Sequence, residues 1–425
     1  DLLKDNVGKL YRKFFIASFG SALIACIYGL VDMAMVGQYH GPDGSAAMAV
    51  IAPIWNIIYS FGLLCGIGGS VIYAVARGER DDVKAANGYF TSAFILGTLW
   101  ALILWVLVWV CEEPLLRLFG ANDALMPLCK EYMVAPKLTV PVYVFINLLS
   151  SFLRNDGDPG RATKAVIFGG IFNVFGDYFF VFTLDMGIKG AGIATAMGAS
   201  MSVLVMLTHF ISKKNTLKFV KPLRILNSFK MISVNGFSSF IVDVAMGIAT
   251  MLFNRRVMEY LGTDALAVYG VIVVVGTLVQ CCSYGIGQAA QPVISRNFGA
   301  GLTDRIKTML KYNIITAAVF GAIWTVLSMA MPQVFIKLFM TPTPEVLSIA
   351  PGIIRIYAIS FVLLPFNIYS TYYFQAIMRA KISLIASVAR GIVISGALIL
   401  LLPVAFGGNA VWWAMPITEA VVFVY

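Results

Sequence analysis

One carboxylate, Asp32, interrupts an apolar run that begins near Phe14 and closes with GLVDMAMVG, Gly29 to Gly37. A charged Asp near the middle of a bilayer costs about 2.5–3.5 kcal/mol on insertion scales, so such a residue is usually kept for a partner, a proton or an ion. A second acid has the same placement. Asp32 lies eight residues before His40 and Asp177 eight residues before Asp185, which is about 12 Å of helix in each case. If His40 and Asp185 mark the outer surface, the two acids sit at one level. Asn173 is four residues before Asp177, on the same helical face. Thr195 enters the following apolar run to a similar depth, and Asn147 lies deeper. Burial and a neighbouring carboxylate both favour the protonated form, so the pair is suited to hold a proton near neutral pH and to titrate as a unit. Two carboxylates with Asn and Thr oxygens are equally suited to Na⁺. The plainer alternatives are that Asp32 is hydrated near the surface and that Asp177 and Asn173 only hydrogen-bond across helices.

Other polar groups fall inside apolar runs. Asp243 is near mid-depth, and Glu419 is positioned to meet Arg255, Arg256 or Arg390. With Asn367 they form a possible polar site in the second half. Arg255 and Arg256 also suit the outer exit of a span. Tyr28, Tyr59, Tyr143, Tyr284, Trp55 and Phe152 suit an apolar cavity for flat cations, although each alone also suits packing or interfacial anchoring.

These residues need a membrane scaffold to position them. The chain is 60% hydrophobic and 12% charged, against about 25% charged for a soluble domain. Apolar runs predict an all-α membrane protein with twelve transmembrane helices, near 14–38, 47–76, 88–111, 128–153, 164–184, 188–212, 231–260, 265–296, 308–331, 346–376, 381–404 and 409 onward. The longest of these must tilt, bend or protrude, with Pro53, Pro141, Pro365 and Pro416 as candidate kinks. Basic residues crowd one set of loops: Lys4, Lys9, Arg12 and Lys13; Arg77, Arg80 and Lys84; Arg154, Arg161 and Lys164; Lys213 to Lys230; Arg296 to Lys311; Arg379 and Lys381. The positive-inside rule places these loops and the amino terminus in the cytoplasm. The polar start and the length of the first span argue against a cleavable signal. Val421 to Tyr425 stop inside a span, so the natural chain is expected to continue.

The halves repeat. A shift of 221 superposes Gly41, Asp43, Ile51, Gly66 and Gly78 on Gly262, Asp264, Ile272, Gly287 and Gly299, and a shift of 220 carries Asn147 to Asn367. Six spans per half gives two pseudo-symmetric lobes of the same orientation, 1–212 and 231–425, joined by a cytoplasmic linker, 213–230, with a substrate cavity between lobes that rock.

Several function classes are excluded or unsupported. The net charge of +10 follows membrane topology and does not imply nucleic acid. No GxxxxGK[ST] run is present. The Gly clusters Gly62–Ser70 and Tyr284–Pro292 read as close helix packing. Only His40 and His209 occur, which argues against a Ser-His-Asp site, and His209 reads as interfacial. The six cysteines read as small hydrophobes, with Cys111 and Cys129 able to pair across one outer loop.

Five stretches carry a resemblance: GLVDMAMVGQ (Gly29–Gln38), SFLRNDGDPGRA (Ser151–Ala162), NVFGDYFFVF (Asn173–Phe182), GAGIATAMG (Gly190–Gly198) and FQAIMRAK (Phe374–Lys381). In that order, over nearly the whole chain, they resemble the multidrug and toxic compound extrusion family. The resemblance implies a twelve-helix, two-lobed exporter of drugs and organic cations. It would be driven by H⁺ or Na⁺, without catalytic residues or any cofactor beyond the coupling ion. It implies that Asp32, Asn173, Asp177 and Thr195 form the first-lobe cation site, with Asn147 nearby. One branch of the family uses acids in spans seven and ten for Na⁺. Here span seven offers Asp243, but span ten, Pro351 to Gln375, has no acid, which favours the first-lobe pair. A flippase for lipid-linked precursors, known in the wider superfamily, is the alternative. We expect a monomer in the cell membrane with its amino terminus inside.

Overall fold

The computed structural model describes residues 2–80, 82–222, 224–339 and 342–425; the side chains of Pro42, Ser45 and Arg80 lie outside the described part, so Arg80 of the inner basic set is not placed. The described residues are helical, with no strand among them. In hydrocarbon every backbone amide must be satisfied within its own segment, and the long apolar runs do this as helices. The spans are α1 (Val7–Gly41), α2 (Ala46–Glu79), α3 (Val83–Val110), α4 (Met126–Leu138 then Val140–Asn155), α5 (Pro159–Thr183) and α6 (Gly187–Ile211). They continue as α7 (225–261), α8 (263–299), α9 (Thr303–Ala330), α10 (Pro344–Ala376), α11 (Ala380–Phe406) and α12 (Ala414–Val424).

Several predicted bounds move. Helix α1 begins at Val7 rather than near 14, and α7 begins at Ile225, inside the stretch assigned to the linker, because the helical backbone continues through the polar residues that precede each apolar run. Helix α4 bends by 57° between its two halves, where Pro136 and Pro141 interrupt the backbone ladder. Pro53 does not break α2. Helix α12 is shorter than expected because residues Gly408–Trp413 form a 3₁₀ turn before it. Asp82 caps α3, accepting from the Lys84 and Ala85 amides at 3.0 Å.

The lobes are related as the repeat predicted. Helices α1 and α2 join at Gly41 (φ 66°), and α7 and α8 join at Gly262 (φ 83°), the left-handed backbone that glycine adopts without a Cβ penalty. The largest contact in the molecule runs between α1–α2 and α7–α8. At the end of the molecule where α2 and α8 finish, repeat-related glycines meet each other. A Cβ on Gly78 would lie 2.1 Å from the Arg296 carbonyl, and one on Gly299 would lie 2.1 Å from the Val75 carbonyl. Gly68 and Gly236 make a second crossing, with a Cβ on each 2.0–2.1 Å from a carbonyl of the other lobe. Small residues thus let backbones touch and close that end.

Helix α1 belongs to both lobes. Its amino-terminal third, Val7, Leu10 and Phe14, packs with Ile286, Val293 and Met309 of the second lobe. Its outer end is held by the first lobe, where His40 Nε2 accepts from the Ile188 amide at 3.0 Å and Tyr39 donates to Asp185.

Candidate functional site

The predicted first-lobe residues converge. Helices α5 and α6 approach through small residues: a Cβ on Gly198 would lie 2.6 Å from the Gly169 carbonyl, and one on Gly176 would lie 2.9 Å from Ala194. That closeness lets Asn173 Nδ2 reach Thr195 Oγ1 at 3.4 Å. Tyr132 of α4 completes the group, its hydroxyl lying 3.2 Å from Thr195 Oγ1 and 3.5 Å from Asp32 Oδ2. Asp32 is 7% exposed and Asp177 is fully buried. Among the described residues, no protein group donates to Asp32 Oδ1 or to either oxygen of Asp177. A buried carboxylate left without donors is very costly, so these three oxygens favour a proton or a bound cation. Immediately after Asp177 the backbone turns into a π-helix, Tyr178–Thr183, a local device common at functional positions.

Tyr132 was not among the sequence candidates. It lies beside the polar Lys130 and Glu131 within the span expected at 128–153, and its ring is buried by packing in the first lobe. Asn147 does not join the group. Its amide donates to the Tyr59 carbonyl at 3.1 Å, because Gly62 and Gly66 bring α2 directly against α4 there. Tyr28 also has a local partner, donating to the Val166 carbonyl at 2.7 Å, and its ring fills the space left by Gly170. Tyr59 meets Tyr143 edge-to-face with ring centroids 5.4 Å apart, and Trp55 lies tilted against the same ring at 4.8 Å. Phe152 packs between Tyr73 and Phe90.

The second-lobe residues divide into two groups. Asp243 accepts from Tyr284 at 2.7 Å and from Ser60 of α2, across the lobe boundary, at 3.3 Å. Glu419, fully buried, is held by Arg390 at 2.8 Å and by Asn367 at 2.6 Å. Arg390 sits in a π-turn of α11, Ala389–Val393, and borders a cavity of about 80 Å³ together with Gln280, Tyr357 and Phe253. Of the cations offered to Glu419 by the sequence, Arg390 makes the pair. Arg255 does not contribute to the group: it is exposed, and its neighbour Arg256 pairs with Glu259 at 2.8 Å. Both lie within two turns of the outer bend at Gly262, past the apolar stretch.

At the end of α6, His209 is fully buried rather than interfacial. Its Nε2 meets Asp156 at 2.7 Å and its Nδ1 meets Asp158 at 3.4 Å. Cys111 and Cys129 are both free.

The family model MatE matches residues 17–179 and 235–399, once in each half. Among curated proteins, the multidrug export protein MepA of Staphylococcus haemolyticus is 24% identical over 98% of this chain and 92% of its own length. MepA of Staphylococcus aureus is 22% identical over the same shares. Among solved structures, an outward-facing multidrug resistance MATE family transporter superposes with a TM-score of 0.91 at 22% identity, covering 100% of this chain and 95% of its own. A MATE crystal structure in the bent conformation gives 0.89 at 23%, covering 100% and 94%. The fold is therefore the twelve-helix fold of those transporters, and with the family model spanning most of its length the chain belongs to the MatE family of multi-pass membrane transporters, which are not enzymes.

Proposed function

We propose that this protein is a secondary active exporter of drugs and organic cations, working in antiport with H⁺ or Na⁺ taken up at Asp32 and Asp177. The observation that carries this reading is the set of three buried carboxylate oxygens without protein donors in the first lobe. Tyr132, Asn173 and Thr195 add oxygens beside them, and an all-oxygen set suits a proton or a hard cation. Helix α1 supplies the coupling. It bears Asp32 in the first lobe and packs its amino-terminal third on the second. A charge change at Asp32 can therefore bias where that third sits. Ion and drug then drive transport to the extent that each prefers a different packing of the lobes.

The chain is taken as lobes 1–212 and 231–425 with the linker 213–230. It is placed in the cell membrane as a monomer with its amino terminus inside. The relatives named multidrug export protein support drugs as the substrate class. The test is drug efflux from proteoliposomes under a proton gradient and, separately, a sodium gradient. One of the two should drive efflux in the wild type, and Asp32→Asn should fold normally yet lose it. Gradient-driven efflux by that variant at wild-type rate would refute the coupling site.

A further inference from the structure

Beneath the Gly78–Gly299 crossing lies a vestibule of about 480 Å³ open to the cytoplasmic side. Its walls come from both lobes. Lys4 and Lys13 of the α1 region, Arg77 at the end of α2 and Lys214 of the linker face Arg296 at the end of α8. Among the described lining residues the one carboxylate is Asp156. That acid is already saturated: it accepts from Tyr73 at 3.1 Å, from the Thr216 amide at 2.9 Å and from the Thr216 hydroxyl, and it faces His209 at 2.7 Å. Arg77 and Arg296 each engage a neighbour as well. Lys214 is also shared with Asp158, at 3.5 Å, so what points to a ligand is the sum of charge around one volume, and not any single group lacking a partner.

We propose that this vestibule is a binding site for a phosphate-class anion, and that the anion holds the inner end closed. Two guanidinium groups offer planar pairs of N–H donors that match phosphate oxygens, and the lysines add point charge. The site is shared between lobes, because Arg77 follows Val75, whose carbonyl touches Gly299, and Arg296 supplies the carbonyl that touches Gly78. When the lobes part, Arg77 and Arg296 part with them, so the anion binds the closed form more tightly and shifts the population toward it. Neither step depends on which ion or drug the exporter carries. The same chemistry is available from a phospholipid headgroup of the inner leaflet and from a soluble phosphate, and the experiment separates them.

The full chain is placed in phosphatidylcholine nanodiscs at low salt and titrated with inorganic pyrophosphate, with thermal unfolding as the readout. A parallel sample in phosphatidylglycerol nanodiscs receives none. A rise in midpoint with pyrophosphate, or with phosphatidylglycerol alone, supports the site and assigns its source. The rise should vanish in Arg77→Gln/Arg296→Gln and be screened out by high salt. If that variant does not fold, Lys4→Gln/Lys214→Gln, at more accessible positions, should weaken the apparent affinity at least threefold. No rise in either lipid, or an equal rise in the neutralised variants, overturns the proposal.

Discussion

Gly78→Ala tests whether the glycine crossing is what closes the inner end. The new Cβ would stand 2.1 Å from the Arg296 carbonyl, where ordinary contact begins near 3.4 Å. Helices α2 and α8 must then separate by about 1.3 Å, and overpacking of this kind costs about 1–3 kcal/mol. Because the strain exists only where the two helices touch, it appears as a shift of about 5–150-fold toward forms with α2 and α8 parted at that end. Gly299→Ala should do the same, since its Cβ would meet the Val75 carbonyl at the same 2.1 Å. The double variant should shift little further, because one separation relieves both contacts. The assay is pulsed electron resonance between nitroxides at Lys84→Cys and Leu302→Cys, both exposed beside the crossing, in a background without the native cysteines. Gly88→Ala is the control: nothing lies within 4 Å of its Cβ, so it should leave the distances alone and stabilise α3 by about 0.5–1 kcal/mol. Wild-type distance distributions in both Gly78→Ala and Gly299→Ala would refute the reasoning.

Tyr132→Phe deletes a hydroxyl that reaches both Asp32 and Thr195. At about 1 kcal/mol for one hydrogen bond, ion-driven efflux should fall roughly fivefold at subsaturating gradient while expression is unchanged; full activity would remove Tyr132 from the site. Glu419→Gln leaves Arg390 buried without its carboxylate and should destabilise by about 3–5 kcal/mol, most of it recovered in Arg390→Met/Glu419→Leu. Thermal unfolding of the purified variants checks this, and a single variant as stable as wild type would contradict it. Asp158 supplies the pH test. Burial raises its pKa, but the hydrogen bond from Arg161, together with the charges of Lys214, Arg161 and His209, outweighs that and holds it below its ordinary 3.8. A group lowered by folding contributes stability that is complete above its unfolded value and is lost as pH falls through the folded one. The difference in midpoint between wild type and Asp158→Asn should thus be constant above about pH 4 and shrink below it; a difference that grew on acidification would reverse the assignment.

Much of this molecule was readable along the chain because a bilayer imposes one-dimensional rules. Each span must satisfy its own backbone, so length and apolarity locate helices without knowledge of neighbours. The repeat of Gly41 with Gly262 and Gly78 with Gly299 revealed the two halves, and equal counting from His40 and Asp185 set Asp32 and Asp177 at one depth. Depth is a property of position along a helix; azimuth and partner are not. Only packing decided that Tyr132 turns into the acidic group while Asn147 turns to the Tyr59 carbonyl, that Arg390 rather than Arg255 meets Glu419, and that His209 is enclosed by Asp156 and Asp158. The same holds for the repeat glycines, which the sequence aligned but could not bring together. Their contact depends on how two lobes lean against each other, and that is fixed by the close fit of side chains far apart in the chain.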